Sequence, residues 1–340
     1  MEAMRDAIKV IDSDGHVRDN DEFLQLYLPE VFRQRRLPYI PREVYDRSLG
    51  GTLGHSGVKL EERLGAMDTQ EIATAVLYPT AGLGIGRVRE AQFHTALCQA
   101  YNDFISDYCK ASPRLKAVAN LPIYSPGEAA QELNRAVTKL GLVGGMLAAQ
   151  AHSKNLGHPE FYPLYEEARR LDTPIAIHAF GGDEPGSEIF DQFICLHTTG
   201  HPFPVLRQLT AMIFGGIPEL FPKLKLAFLE IGCGWIPYWM ERMDEEWEKR
   251  GKAEAPLCKK KPSEYITGGQ IYYGCEPEEK MMGFVVKEIG SETLMYASDY
   301  PHWDASWPES AVLVWGREDL ALDAKKNILQ KNAERFYNLS

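Results

Sequence analysis

The stretch KVIDSDGHVRDN, residues 9–20, decides between two common ways of building a protein from alternating strands and helices. It begins with an apolar run that has the chemistry of a buried strand. The polar residues that follow contain a single glycine, Gly15. A doubly wound nucleotide-binding sheet carries several glycines in the turn after its first strand, where the backbone approaches a phosphate. That fingerprint is absent, so the stretch favours a barrel.

The rest of the chain alternates between strand-like and helix-like segments. Continuously apolar strands are typical of a parallel sheet covered on both faces, and their alternation with helices is typical of an α/β fold. Eight strands in 340 residues predict a (β/α)8 TIM barrel. The predicted strands are Lys9–Asp12, Thr74–Tyr78, Leu115–Leu121, Val143–Ala148, Pro174–His178, Leu224–Leu229, Gln270–Tyr273 and Thr293–Ser298, and the predicted helices span about 87–111, 127–140, 160–171, 202–216, 235–250, 278–289 and 306–338.

One segment interrupts this alternation. Residues 27–60 are rich in Arg, Pro, Gly and Tyr and have no clear period, which predicts an insertion after strand 1 that forms a lid over the barrel mouth. No repeat, low-complexity tract or Gly/Ser linker divides the chain. We therefore expect residues 1–340 to form a single barrel domain with this insertion.

Composition excludes several classes of partner. The net charge of −11 argues against nucleic acid and against anionic membrane surfaces, and no apolar run is long enough for a membrane span. The N-terminus does not resemble a signal peptide. Six cysteines without C-x-x-C spacing indicate reduced thiols in a cytoplasmic protein. We expect a small-molecule substrate and, from the base rate for soluble proteins, a homo-oligomer.

Polar side chains follow four of the predicted strands. In a barrel, chemistry is placed at the carboxyl ends of the strands. Asp14 and His16 follow strand 1 and, being two apart, point to the same face of an extended chain. The strand-5 segment ends in His178, the strand-6 segment is followed by Glu230, and the strand-8 segment is followed by Asp299 and then His302.

Each of these residues also has a purely structural interpretation. Asp14 suits an Asx turn beside a surface histidine, His178 a core histidine bonded to a carbonyl, and Asp299 a helix cap. Glu230 suits a salt bridge to Arg242. Taken together, however, the nitrogen and oxygen side chains predict a site for Zn²⁺, Mn²⁺ or Fe²⁺ with open positions for water and substrate. Among the loop histidines, His197 is the candidate for substrate contact.

These motifs resemble the amidohydrolase superfamily, in particular its amidohydrolase 2 branch, which includes aminocarboxymuconate-semialdehyde and dihydroxybenzoate decarboxylases. The resemblance rests on Asp14-x-His16, on IAIHAFGG at 175–182, on FLEIGCGWIPYWMERMDEEW at 228–247 and on YASDYPHWD at 296–304. It implies a barrel with a catalytic divalent metal. By the same resemblance Asp14 and His16 match the strand-1 ligand pair, His178 the strand-5 ligand and Asp299 the strand-8 aspartate.

The sequence departs from the pattern of the branch in two places. Asp14 stands where many members have histidine. The decarboxylases carry a histidine after strand 6 that helps to handle the substrate, and this chain has Glu230 there. No lysine follows strand 4, which disfavours a centre bridged by a carbamylated lysine, but Glu230 with His302 offers a second metal site of another kind.

Four functions remain open on the sequence. The leading hypothesis is a metal-dependent hydrolase of a small amide, lactone or related carbonyl compound, with Asp299 or Glu230 as general base toward a metal-activated water. The first alternative is a non-oxidative decarboxylase of an aromatic or unsaturated acid, with His302 as proton donor to carbon. The second is an oxygen-activating dinuclear iron or manganese oxygenase component, and the third is a metal-free binding subunit.

Overall fold

Eight parallel strands form the centre of the molecule. The computed structural model describes Met4 and residues 8–41, 55–150, 154–179 and 186–339. The strands pair in sequence order around one sheet. They are β1 (Val10–Val17), β2 (Ile72–Pro79), β3 (Leu115–Asn120), β4 (Gly144–Ala148), β5 (Ile175–His178), β6 (Leu226–Leu229), β7 (Ile271–Cys275) and β8 (Leu294–Tyr296).

Hydrogen bonds close the seam between the first and last strands. Ser13 Oγ donates to the Tyr296 carbonyl at 2.7 Å, and the His16 amide donates to the Tyr300 carbonyl at 2.8 Å. The Asp299 amide donates to the Asp14 carbonyl at 3.1 Å. The sheet is thus a nearly closed barrel, and the predicted (β/α)8 fold is confirmed.

Helices surround the barrel and connect its strands. Several are shorter than predicted, and the predicted C-terminal helix at 306–338 is divided into separate pieces. The α-helices in the described part of the chain are Asp21–Tyr27, Glu30–Arg33, Leu60–Thr69, Ala91–Cys109, Pro126–Leu140, Tyr162–Arg170, Phe193–Gly200, Pro202–Phe214, Ile217–Leu220, Ile236–Glu246, Lys252–Glu254, Pro262–Ile266, Met282–Ile289, Ala311–Trp315, Leu322–Lys326 and Asn332–Tyr337. Short 3₁₀ turns lie at Ala81–Arg87, Pro159–Phe161 and Ser187–Ile189, and π turns at Trp247–Gly251 and Asn327–Lys331.

The apolar core has two parts. The larger lies between the strands and the surrounding helices. The smaller draws at least one buried side chain from each of the eight strands, so it fills the barrel interior, and Phe336 and Tyr337 of the last helix join it. Side chains that face the barrel interior are therefore expected to be apolar. A polar side chain buried there is costly unless it has a partner, so its presence indicates a specific role.

Two strand boundaries differ from the prediction in a way that matters for the site. β1 runs to Val17, five residues beyond the predicted end, so Asp14 and His16 lie within the strand. β8 ends at Tyr296, so Ser298 and Asp299 lie in the loop that follows. The predicted insertion contains the last residue of the helix Asp21–Tyr27 and the whole helix Glu30–Arg33. Residues 42–54 of the insertion lie outside the described residues. Its role as a lid stays a prediction.

Two further observations concern the sequence expectations. All six cysteines are free thiols in the structure. None of the helices in the described ranges combines the length and the apolar character needed to cross a bilayer.

Candidate metal centre at the barrel mouth

The end of β1 directs two ligand-type side chains into the barrel. The pairing of β1 with β2 is irregular between Asp12 and Gly15, and such a bulge re-aims the side chains around it. A Cβ on Gly15 would lie 2.5 Å from Asp12 Oδ2, so any larger residue here would displace the Asp12 carboxylate. Asp14 Oδ1 and His16 Nε2 then lie 3.6 Å apart, and both side chains are buried.

Backbone carbonyls orient the two buried histidines. His16 Nδ1 donates to the Pro79 carbonyl at 2.8 Å, and His178 Nδ1 donates to the Ala179 carbonyl at 2.6 Å. A carbonyl only accepts, so Nδ1 carries the proton in both rings and Nε2 is left to bind something else. His178 Nε2 faces Asp14 Oδ1 at 3.2 Å, and His16 Nε2 faces Asp299 Oδ1 at 3.2 Å. This use of one ring nitrogen to orient the other is typical of metal-binding histidines.

Two neighbouring acceptor atoms at the centre of this group lack hydrogen bonds. His16 Nε2 and Asp299 Oδ1 are buried and have no hydrogen-bond partner among the described residues. Burial, together with the neighbouring His302, holds the pKa of His16 well below its ordinary value, so its imidazole is neutral. Burial, with repulsion from Glu230, holds the pKa of Asp299 well above its ordinary value. Lone pairs and carboxylates that converge without donors between them are what a bound cation would satisfy.

Glu230 and Asp299 reach the site from loops with an uncommon backbone conformation. Both have left-handed φ values, 61° and 53°, which non-glycine residues rarely adopt and which cluster at functional sites. Asp299 Oδ1 lies 2.7 Å from His302 Nδ1, and Glu230 Oε1 lies 3.9 Å from the same nitrogen. His302 Nε2 hydrogen-bonds with Thr80 Oγ1 at 3.2 Å, which fixes the orientation of the ring.

Glu230 joins the two groups of ligand-type side chains. Its Oε2 lies 2.8 Å from His178 Nδ1. Burial acts to raise the pKa of Glu230, but the attraction of His178 outweighs it and holds that pKa well below its ordinary value. For His178, burial acts to lower the pKa, but the attraction of Glu230 and Asp14 outweighs it and holds that pKa well above its ordinary value. Arg242, the partner considered for Glu230 from sequence, instead pairs with Glu245 and Glu246.

The structure thus brings together all six predicted ligand residues. One ligand atom from each of Asp14, His16 and His178 lies within 4.8 Å of the others, and the same holds for His16, Glu230, Asp299 and His302. Their roles as metal ligands remain a proposal.

His201 is a neighbour of the cluster that the sequence interpretation did not select. His201 Nε2 lies 3.5 Å from Glu230 Oε1, whereas the predicted residue His197 lies 3.9 Å from Asp304 and stacks on His201 with ring centroids 4.0 Å apart. His197 and His201 are four apart, a spacing that places side chains on one face of a helix. This four-residue spacing was the signal in the sequence that could have identified His201.

Buried polar residues behind the cluster hold its two halves together. Asp12 accepts from the Ser298 amide at 2.9 Å and from Ser298 Oγ at 2.7 Å. The buried Arg63 donates to the carbonyls of His16 and Tyr300. These contacts tie the end of β1 to the loop after β8, and the sequence alone gave no sign of them.

Two adjoining cavities open onto the cluster. They have volumes of about 270 and 400 Å³, near the lower end of the range for small-molecule sites, and both are lined by His197, His201, Glu230 and Asp304. The first is acidic. The second cavity also contains Asp19 and Asp21, and it adds two cations and an apolar wall, which are provided by Arg18, Arg87, Ile40, Leu83, Phe193 and Trp303.

Comparison with known proteins places this geometry in a family context. A family model described as amidohydrolase matches residues 11–339. The chain is 27% identical over 245 residues to 2-amino-3-carboxymuconate-6-semialdehyde decarboxylase of Dictyostelium discoideum, covering 72% of this chain and 67% of that protein. It is 25% identical over 261 residues to gamma-resorcylate decarboxylase of Rhodococcus jostii (strain RHA1), covering 70% and 76%.

A solved structure shows the same fold. Dihydroxybenzoic acid decarboxylase from Polaromonas sp. JS666, with bound manganese and the inhibitor 2-nitroresorcinol, aligns with a TM-score of 0.77 at 20% identity, covering 97% of each chain. The resemblance inferred from the motifs is therefore confirmed.

Proposed function

Since the chain belongs to the amidohydrolase family, we propose that it is a metal-dependent, non-oxidative decarboxylase of an aromatic or unsaturated carboxylic acid. One observation carries the proposal. Asp14 and Asp299 of the buried cluster line the first cavity, and the adjoining second cavity, which Glu230 also lines, carries two arginines and apolar side chains on its wall. The sequence relatives named above are decarboxylases of an unsaturated and an aromatic acid.

The donor set fits a hard or borderline divalent cation. Two imidazole nitrogens and two carboxylates suit Mn²⁺, Zn²⁺ or Fe²⁺, and the manganese in the Polaromonas structure favours Mn²⁺. When bound, the cation would supply charge stabilisation for the substrate oxygens. Asp14, His16, His178 and Asp299 would hold it.

The residues around the cluster suit an acidic substrate with a flat apolar body. Arg87 and Arg18 offer guanidinium groups, which recognise carboxylates well. Phe193 and Trp303 offer aromatic surface to a ring or a conjugated chain. These residues would orient the substrate so that the carbon–carboxylate bond lies at the mouth of the cluster.

Decarboxylation breaks that bond, releases CO₂ and leaves an electron pair that must take a proton at carbon. We assign delivery of this proton to His302, whose Nδ1 lies 2.7 Å from Asp299 Oδ1.

The comparisons bear unequally on the other hypotheses. Hydrolysis, the leading expectation from sequence, gains no support from them, since both relatives are named as decarboxylases. Membership of an enzyme family disfavours a metal-free binding subunit. The oxygenase hypothesis requires a second metal, and neither of the two relatives is named as an oxygenase.

The test is a screen of ortho-hydroxy aromatic and unsaturated acids with the Mn²⁺-loaded enzyme in D₂O. We expect CO₂ release and one deuterium at the vacated carbon. Arg87→Gln should raise KM and lower kcat/KM about 10- to 100-fold, as expected for loss of a hydrogen bond to a charged group.

Arg89→Gln is the matched control, because Arg89 lies two residues away, is exposed and does not line the cavity. Turnover of esters or lactones by the Mn²⁺ enzyme, with every acid left intact, would contradict decarboxylation and restore the hydrolase hypothesis.

A further inference from the structure

The last helix brings a tyrosine hydroxyl to the strands that carry the candidate metal ligands. Tyr337 ends the helix Asn332–Tyr337, is buried, and packs in the core of the barrel interior. Asn332 fixes this helix against the barrel, because its Nδ2 donates to the carbonyls of Ser291 and Leu294, each at 2.6 Å. The Tyr337 hydroxyl makes two hydrogen bonds inside the barrel, and each leads to a different ligand-type side chain.

The first hydrogen bond supports Asp14. Tyr337 Oη donates to the Ser13 carbonyl at 2.7 Å. The amide on the other side of the same peptide bond, that of Asp14, donates to Asp12 Oδ1 at 3.3 Å. This peptide group falls in the bulge between Asp12 and Gly15, where the ladder of β1 and β2 is interrupted. A buried carbonyl needs a partner, and Tyr337 provides one that fixes the peptide plane from which the Asp14 side chain projects.

The second hydrogen bond supports His178. Tyr337 Oη lies 2.7 Å from the hydroxyl of Tyr78, a fully buried residue of β2. Because the single proton of the Tyr337 hydroxyl is donated to the Ser13 carbonyl, Tyr78 is the donor in this bond. The Tyr78 ring stacks on the His178 imidazole, with centroids 5.1 Å apart and planes inclined by 29°. A fixed Tyr78 ring therefore limits the tilt of that imidazole.

One hydroxyl thus contacts the supports of two ligand-type side chains that lie on different strands. Groups that orient metal ligands from behind set metal affinity nearly as strongly as the ligands do. We propose that Tyr337 is a positioning residue for the candidate metal ligands Asp14 and His178. The inference rests on the proposed function, because the cation whose ligands Tyr337 orients is the one assigned there.

The test compares Mn²⁺ binding in the parent and in Tyr337→Phe, which keeps the buried ring and removes only the hydroxyl. Full-length protein is stripped with chelator and titrated with Mn²⁺ by calorimetry, and the bound ion is examined by electron paramagnetic resonance. We expect the affinity to fall about tenfold and the spectrum of the bound ion to change, because Asp14 and His178 lose their fixed orientation.

Tyr165→Phe is the matched control. Tyr165 is fully buried, and its hydroxyl also donates to a backbone carbonyl, that of Leu156, at 2.6 Å. It lies on the helix Tyr162–Arg170 and lines neither cavity. This variant should lower the urea midpoint of the metal-free protein but keep the Mn²⁺ affinity and the spectrum of the parent. Tyr78→Phe removes only the second hydrogen bond, so its loss of affinity should lie between those of Tyr165→Phe and Tyr337→Phe.

Two results would overturn the positioning role. One is equal Mn²⁺ affinity in the parent and in Tyr337→Phe. The other is an equal loss in Tyr337→Phe and Tyr165→Phe, which general destabilisation would produce. Circular dichroism verifies folding, and if Tyr337→Phe does not fold, the comparison of Tyr78→Phe with Tyr165→Phe decides in the same way.

The outcomes also separate this proposal from the proposed function. Decarboxylation by the parent, with the same Mn²⁺ affinity in all of the variants, would overturn the role of Tyr337 and leave the function standing. The expected order of affinities, with no acid decarboxylated by the parent, would overturn the function and leave the role of Tyr337 standing. No bound Mn²⁺ in the parent would overturn both.

Discussion

The two halves of the candidate metal centre are held by different means. Asp14, His16 and His178 sit on strands β1 and β5, are almost fully buried, and owe their orientation to backbone carbonyls and strand register. Glu230, Asp299 and His302 sit on loops, are 11–19% exposed, and owe their orientation to left-handed backbone and to contacts with one another. We call these the strand-borne half and the loop-borne half.

The difference indicates a division of labour. A strand inside a closed barrel cannot move without breaking the sheet, so the strand-borne half is pre-formed and suits a permanently held cation. A loop can adjust as substrate enters, and catalytic side chains are commonly carried on loops positioned by a rigid framework. The loop-borne half therefore suits the groups that meet substrate and move protons.

The largest effect should come from breaking the strand-borne half. Asp14→Asn removes the charge that faces both His16 Nε2 and His178 Nε2. Loss of an outer-shell partner already lowers metal affinity 10- to 100-fold, so loss of this carboxylate should lower it at least about 100-fold and abolish turnover. Isothermal titration with Mn²⁺ measures the affinity.

Asp304→Asn is the control for this variant, because Asp304 lines both cavities but lies outside the two ligand clusters. It should keep the affinity of the parent. Equal loss in the two variants would mean that general negative charge, rather than a ligand position, holds the ion.

A smaller effect should come from loosening the seam that joins the halves. Ser298→Ala removes the hydroxyl that donates to the buried Asp12 carboxylate, so the free energy of unfolding should fall by about 2 kcal/mol. Asp12 is buried, and this burial raises the pKa of its carboxyl group. Urea denaturation of the metal-free protein measures the change.

Ser306→Ala provides the comparison for the seam. Ser306 is also buried, but its hydroxyl has no hydrogen-bond partner within the described residues, so its removal should change the free energy of unfolding by less than about 0.5 kcal/mol. Similar destabilisation in both serine variants would show that the Asp12–Ser298 pair has no special part in closing the barrel.

The strand-borne half could be predicted from sequence because its geometry is local. Asp14 and His16 are two residues apart on an extended chain and therefore point to the same face. His178 ends an apolar strand, so its position also follows from the sequence pattern. The barrel fold could be predicted from sequence for the same reason. The bulge that separates Asp12 from Asp14 was not visible, since it depends on pairing with β2.

The loop-borne half was only partly predictable. Glu230, Asp299 and His302 were named because each follows a strand, but no local rule sets a left-handed φ or the 2.7 Å contact between the last two. Thr80 and the cavity arginines were missed because they come from other loops, and only the closed barrel brings them to this mouth. For His201 the local signal was its four-residue spacing from His197.

The smallest effect should come from a single hydroxyl of the loop-borne half. Thr80→Val keeps the shape of the side chain and removes the Oγ1 that orients His302, while the Thr80 amide stays bound to Asp19 Oδ1 at 2.9 Å. The ring then loses the contact that presents Nδ1 to Asp299. We expect kcat to fall about tenfold, at the lower end of the range for loss of such an orienting partner.

Thr80→Ser separates orientation of the ring from disturbance of the loop, because serine restores the hydroxyl without the methyl group. It should recover most of the kcat lost in Thr80→Val, and the Mn²⁺ affinity of the strand-borne half should be the same in both. If valine and serine lower kcat equally, the hydroxyl has no part in presenting His302. If valine instead weakens Mn²⁺ binding at Asp14 and His178, the two halves are not independent, and the division of labour between strand and loop fails.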